Sequence, residues 1–280
     1  MKNFFNKYCF EIWAKYCLTV FSILSTVMLF VPNIPDNKQF IKYIVAGCLV
    51  FLLLISYVLI YTYQISSKKV KLIINNTEVN ILFGDIFKCE GKKVIAFNEY
   101  FDTQVDDVII AKKSLNGQLI INGLIDKNEF DKLVNNNDVL VKDMNYSKRK
   151  QGKTQKYKLG QIQPYKDFFA LAFTYFNDDN EAHLYSNQYS NCLLEMWKQL
   201  NKYYAQEEVN IPLLGAGITR ILDNVEVSNQ ELLEIMLQTL RISKMTFKIP
   251  SKINIILYSG EKDKEMKKYD LIRIKSIFRR

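Results

Sequence analysis

Three short segments carry the groups able to engage an anionic, hydroxyl-rich partner. They are Phe83-Gly84-Asp85-Ile86, the run Phe97-Asn98-Glu99-Tyr100-Phe101-Asp102-Thr103, and IPLLGAGITR from Ile211 to Arg220. Glu99 and Asp102 share one polar turn and have the composition of a general acid–base pair, or of acceptors for sugar hydroxyls. Gly215 and Gly217 let backbone N–H groups turn inward, and such a nest can hold a pyrophosphate without side-chain charge, although a lone G-x-G is just as often a plain strand-to-helix turn. The spacing excludes two commoner phosphate loops: the third glycine of the dinucleotide fingerprint is missing, and no Gly-Lys-Ser/Thr follows. His183 is the only histidine, which argues against a His-ligated metal centre or a Ser-His-Asp triad. It reads as an exposed residue after the acidic Asp178-Asp179 loop.

Each segment falls where a strand should end. Val70–Ile74 and Val79–Phe83 are β-branched runs joined by Asn75-Asn76-Thr77, the pattern of a strand pair. Val94–Asn98 reads as a third strand and Val209–Leu214 as a buried one, while Lys252–Tyr258 is the last. Phe168–Phe176, FFALAFTYF, is apolar on both faces and suits a buried central strand. Short strands are expected at Val139–Val141 and Lys156–Ile162, and a helix over Asp126–Asn137. Ser186–Tyr204 is amphipathic through Tyr189, Leu193, Met196, Trp197 and Leu200. Ser228 with Glu231 forms a capping box that opens another helix. Strands alternating with helices imply a three-layer α/β domain around a mixed sheet. In open α/β sheets ligands bind beyond the carboxyl ends of the strands, so the three segments are expected to converge on one cleft.

Ahead of this domain lie two uncharged apolar stretches, Tyr16–Pro35 and Tyr43–Ser67. At ~1.5 Å per residue each is long enough for a bilayer core of ~30 Å. They predict a two-helix membrane hairpin over residues 1–67, with spans at about 12–32 and 41–64, and a cytoplasmic domain over 68–280. Lys2, Lys7 and Lys15 before the first stretch, and Lys68, Lys69 and Lys71 after the second, predict a two-pass protein of the bacterial inner membrane with both termini cytoplasmic. Five scattered cysteines, Cys9, Cys17, Cys48, Cys89 and Cys192, imply reduced thiols and no disulfide framework. The net charge of +9 is concentrated in SKRKQGKTQKYK, Ser147–Lys158, and in RIKSIFRR at the end. Without a base-reading motif or aromatic platform, these runs do not point to nucleic acid. They are expected to be solvated or to face anionic lipid.

Together the three segments resemble a macro domain, the fold that binds ADP-ribose. Gly84-Asp85-Ile86 matches the family's segment whose Asp accepts from the adenine amino group, and Val94-Ile-Ala-Phe-Asn98 matches the strand whose Asn approaches the distal ribose. Pro212–Gly217 fits the P-x-x-G-x-G loop around the diphosphate. Tyr258 stands where an aromatic often covers the adenine or its ribose. The N-E-Y-F-D-T variant, with Ser114-Leu-Asn-Gly-Gln118 after it, looks like the branch found in the two-transmembrane-helix macro-domain effectors of type II Thoeris anti-phage defence. The resemblance implies a receptor binding through Asp85, Ile86, Asn98, Glu99, Tyr100, Asp102, Thr103, Leu214, Gly215, Ala216, Gly217, Ile218 and Tyr258, with no cofactor and no metal.

The signal implied is an ADP-ribose-derived nucleotide, such as a histidine conjugate, made by a TIR-domain partner. Its binding would drive homo-oligomerisation and disruption of the lipid bilayer in abortive infection. The hydrolases of the family usually carry N-A-A-N where this chain has Asn98-Glu99-Tyr100-Phe101. Binding is therefore expected rather than catalysis, the alternative being a membrane-bound ADP-ribosyl hydrolase that uses Glu99 and Asp102.

Overall fold

The computed structural model describes residues 7–28, 39–65, 69–144, 149, 151–217, 220–221, 227–247, 252–258 and 270–278. Within these, the side chains of residues 7–8, 23–28, 39–46, 49–50, 64–65 and 220–221 are not described. The chain divides into two compact units, Met1–Val70 with Asp270–Arg279, and Lys71–Tyr269.

The first unit contains helices α1 (Lys7–Met28) and α2 (Gln39–Ile65) and the C-terminal helix that ends the chain order, α7 (Leu271–Phe278). Cys9, Tyr57 and Ile272, one from each helix, are buried together, with Trp13 and Tyr61 against them. The Trp13 indole N–H donates to Ser56 Oγ at 3.0 Å and to the Leu53 carbonyl at 3.1 Å. Leu271, Ile272, Ile274 and Phe278 are buried, so Arg273 and Lys275 belong to an amphipathic helix, while Arg279 and Arg280 lie outside the described residues.

The expected membrane hairpin is overturned. Among the described residues no helix is long and apolar enough to cross a membrane. Glu11 and Lys15 lie exposed in the body of α1, and residues 29–38, which include the end of the first expected span, lie outside the described residues. The two-pass inner-membrane placement with cytoplasmic termini falls with the spans.

The second unit is built on a nine-stranded mixed sheet in the order β1-β2-β11-β9-β3-β7-β8-β10, with β6 pairing β7. The strands are β1 (Lys69–Ile74), β2 (Thr77–Gly84), β3 (Lys92–Asn98), β6 (Ile162–Tyr165), β7 (Phe168–Phe176), β8 (Ala182–Leu184), β9 (Val209–Pro212), β10 (Arg220–Ile221) and β11 (Lys252–Tyr258). Asn75 and Asn76, at φ 49° and 59°, turn β1 into β2, the left-handed pair that a tight hairpin requires and that asparagine tolerates. The strands expected at Val139–Val141 and Lys156–Ile162 are reduced to a two-residue ladder of β4 (Lys142–Asp143) and β5 (Lys156–Tyr157), followed by β6.

Alternation along β7 separates the two covering layers. Phe169 and Phe173 meet Tyr203 and Tyr189 of α5 (Ser186–Tyr203), while Ala170 and Ala172 belong to a cluster with Phe97, Phe101, Phe130 and Val134. Phe130 and Val134 come from α4 (Lys127–Asn135), and Leu119 of α3 (Leu115–Ile121) joins the same cluster. Helix α6 (Asn229–Ser243) opens on the expected Ser228–Glu231 capping box and is tied to α5 by the buried Trp197 indole donating to Thr239 Oγ1 at 3.0 Å. Both faces of β7 are thus met by apolar side chains, which is why it reads as continuously hydrophobic.

Register among the inner strands is set by a buried amide ladder. Asn80 Nδ2 donates to Asn254 Oδ1 at 3.1 Å, and Asn254 Nδ2 donates to Asn210 Oδ1 at 3.0 Å. These residues face one another on β2, β11 and β9. A slip of one residue would strand all three amides in the core. Asn254→Ala is expected to cost about 1–3 kcal/mol, because it strips a buried acceptor of its donor and a buried donor of an acceptor. Urea unfolding of the full chain, followed by circular dichroism, measures it.

Candidate functional site

Strands β2, β11, β9, β3 and β7 run parallel, so their carboxyl ends share one edge of the sheet. Gly84 at the end of β2 lies opposite Tyr258 of β11, Ile256 opposite Pro212 of β9, and Asn98 of β3 opposite Thr174 of β7. The Asp85 segment, the glycine loop and the Asn98 turn leave from that edge. From β2 to β3 is three strand steps, roughly 14 Å at ~4.8 Å each.

Asp85 caps a 3-10 turn, Ile86–Lys88, its Oδ1 accepting from the Phe87 N–H at 3.0 Å. Its Oδ2 stands 3.9 Å from Lys88 Nζ, and the carboxylate is about half exposed. Ile86 is buried in the cluster below, anchoring the turn that holds Asp85 at the surface. Tyr258 is exposed.

In the glycine loop the conformational demand falls on Gly215. Its φ is +85°, and a Cβ there would lie 3.4 Å from Leu232 Cδ2. Leu214 is buried and its carbonyl accepts from the Tyr189 hydroxyl at 3.0 Å. Ala216 and Gly217 are exposed. Gly217 has open space where a Cβ would project and no positive φ, so the backbone requirement expected at both glycines holds only at Gly215. Ile218 and Thr219 lie outside the described residues.

The Asn98–Thr103 turn is folded inward. Asn98 Oδ1 accepts from the backbone N–H groups of Tyr100 and Asp102 at 3.1 and 3.2 Å, and Nδ2 donates to Asp102 Oδ2 at 2.9 Å. Phe101 takes a φ of 50° while fully buried, a strained conformation for a bulky residue that only its surroundings can impose. Thr103 Oγ1 donates to Asp131.

The basic run corrects its own expected role. Arg149 is buried and grips Asp102 with two N–H···O bonds, Nη1 to Oδ2 at 2.7 Å and Nη2 to Oδ1 at 3.0 Å. Its guanidinium lies 3.5 Å over the Tyr100 ring. Lys153 Nζ pairs with Asp131 at 2.6 Å, and Lys156 Nζ with Glu99 Oε1 at 3.2 Å. Three basic residues read as solvated or lipid-facing are therefore the counterions of the acids in and beside the turn. Charge alternation along the sequence gives no sign of this, since Arg149 and Asp102 are 47 residues apart.

Glu99 is fully buried, and its Oε2 has no partner among the described residues. Burial pushes its carboxyl above the ordinary glutamate range, outweighing the attraction of Lys156 and the bond from the Phe176 N–H. At Lys156 burial pulls the other way, but Glu99 and Tyr100 win, and the ammonium is held above the usual lysine value. The pair is thus a retained cation beside a carboxyl that resists ionising. His183, expected to be exposed, is largely covered, its Nε2 3.0 Å from Asn177 Nδ2 and its Nδ1 without a partner among the described residues. Among the described residues no cluster of His, Cys, Asp and Glu could hold a metal ion.

Residues 79–258 match the family model described as Thoeris protein ThsA, Macro domain, so the second unit is a macro domain. The chain is 39% identical over 261 residues to Thoeris protein ThsA of Bacillus amyloliquefaciens (strain Y2), covering 91% of this chain and 86% of that protein. It belongs to the Thoeris ThsA family. Among solved structures it is similar to a point mutant of the Oceanobacillus iheyensis macrodomain at TM-score 0.46 and 12% identity, covering 75% of this chain and 98% of that one. A second mutant of that macrodomain, solved with ADPR, gives TM-score 0.45 at 12% identity with the same coverage.

A raised Glu99 pKa means that the native state binds this proton more tightly than the unfolded chain does. Between the unfolded and native values stability therefore rises as pH falls, and above the native value the burial penalty is fully present. The difference in unfolding free energy, wild type minus Glu99→Gln, is expected to move in favour of wild type as the pH is lowered from about 7 toward 5. Denaturant titrations of both proteins at a series of pH values check the sign.

Proposed function

We propose that the macro domain is a receptor for a nucleotide built on ADP-ribose, laid along the carboxyl edge of the sheet. The observation that carries this reading is the parallel run of β2, β11, β9 and β3, which brings Asp85, Tyr258, the glycine loop and Asn98 to one edge in that order. Asp85 accepts from the adenine amino group through Oδ2, which only the exposed Lys88 ammonium approaches, at 3.9 Å, and Tyr258 covers the base. Leu214–Ile218 holds the diphosphate on backbone N–H groups. Asn98 meets the distal ribose, and Glu99 lies buried beneath the same turn. Ile86, Tyr100, Asp102 and Thr103, expected as contacts, act from beneath by fixing the turns.

Binding is favoured over hydrolysis by the state of Asp102. Its two oxygens already accept four hydrogen bonds, from Asn98 Nδ2, Arg149 Nη1, Arg149 Nη2 and the Lys153 N–H. A carboxylate with every lone-pair position filled has no site from which to exchange a proton with a substrate. In the defence setting implied by the family, a TIR-domain partner supplies the nucleotide, a histidine conjugate being one form of it. The helical unit answers by self-association through exposed side chains such as Phe51, Leu52, Leu54 and Leu59. Ligand affinity and assembly are then reciprocally linked.

Calorimetric titration of the full chain with ADP-ribose tests the reading. Asp85→Ala is expected to weaken binding by about 1.5 kcal/mol, the lower end for a hydrogen bond to a charged group, because the carboxylate is half exposed. Unchanged affinity would remove the adenine assignment.

A further inference from the structure

We infer that Arg149 is the positioning residue that fixes the side chain of Asn98 for the distal ribose, acting through Asp102. The inference rests on the receptor reading above and names a residue 51 positions from the one it orients.

The relay is complete in hydrogen bonds. Arg149 places all five of its N–H donors: Nε on the Lys153 carbonyl, Nη1 on Asp102 Oδ2 and Asn180 Oδ1, and Nη2 on Asp102 Oδ1 and the Lys153 carbonyl. The Asp102 carboxylate is thereby held in one orientation, with Oδ2 facing Asn98 Nδ2. That orientation decides the amide. Rotating it by half a turn would set Oδ1 against the Asp102 carboxylate and the NH2 group against the N–H groups of Tyr100 and Asp102. Oδ1 is saturated by those two donors, and Nδ2 spends one of its two N–H bonds on Asp102. What remains is a single N–H of fixed direction, which suits a ribose oxygen and no ligand donor.

The surroundings fit a guanidinium and nothing larger or less branched. Tyr100 supplies the ring beneath it. Gly152, at φ +95°, passes so close that a Cβ there would lie 2.6 Å from Nη2 and 2.7 Å from Cζ. Lysine retains the charge but has three donors and no planar fork, so it cannot hold both carboxylate oxygens and the Lys153 carbonyl together.

The test uses the full chain, with ADP-ribose and ADP as paired ligands. In Arg149→Lys and in Gly152→Ala, which displaces the guanidinium without deleting it, affinity for ADP-ribose is expected to fall about tenfold while that for ADP stays within about twofold. Equal losses on both ligands would mark Arg149 as merely structural, and undiminished preference for ADP-ribose would also overturn the inference. A ligand-free readout separates this from the receptor reading. The side-chain amide protons of Asn98, assigned by their absence in Asn98→Ala, are expected to shift in Arg149→Lys by NMR. An unmoved amide overturns the relay whatever the titrations give. A shifted amide in a protein that binds neither ligand supports the relay and overturns the receptor.

Discussion

A guanidinium and a carboxylate withdrawn together from water govern the turn after β3. The side chains of Arg149 and Asp102 are 1% and 2% exposed, and neither would survive burial alone, since an unpaired buried charge costs several kcal/mol. Burial of the pair is tolerable because each hydrogen-bonding position is filled: five donors on one side, four acceptor positions on the other. The consequences reach outward from there. The Asn98 amide has one orientation, Phe101 accepts a left-handed backbone, and the chain from Arg149 to Lys153 must wrap closely enough to require a residue without a side chain at 152.

The same constraint separates the two acids that first suggest catalysis. Asp102 has every acceptor position of its two oxygens filled. Glu99, only three residues away, keeps a buried oxygen unpaired and a carboxyl that burial holds toward its neutral form. Equal residue types in one turn thus end in opposite electrostatic states, because one faces a forked cation and the other a single ammonium at 3.2 Å. The upper edge of the sheet is then divided between a rigid, charge-balanced turn at Asn98 and a more open pair of turns at Asp85 and Gly217.

Much of the architecture was legible from local pattern. The Asn75-Asn76 turn, the Ser228–Glu231 capping box, the doubly apolar β7 and the placement of three polar segments at strand ends all depend on neighbours within a few residues. Helix α3 escaped because it is only seven residues long, with Ser114 as its N-cap. What the sequence could not disclose was long-range electrostatics. SKRKQGKTQKYK reads as a charged surface until Arg149, Lys153 and Lys156 are seen to neutralise acids up to 57 positions earlier. Hydropathy at the N-terminus likewise gave no sign of a long-range contact, the burial of Cys9 and Tyr57 with Ile272 of α7.

That last arrangement bears on how the protein is made. The ribosome delivers α1 and α2 before the macro domain, yet the helix that completes their cluster through Ile272 is synthesised after it. Domains generally fold as units during translation, N-terminal first. Here the macro domain can mature while α1 and α2 still wait for their third member, so a nascent chain carries a finished macro domain before its helical unit is whole. Emergence of the segment that carries α7, rather than any step of sheet formation, becomes the moment at which the first unit closes.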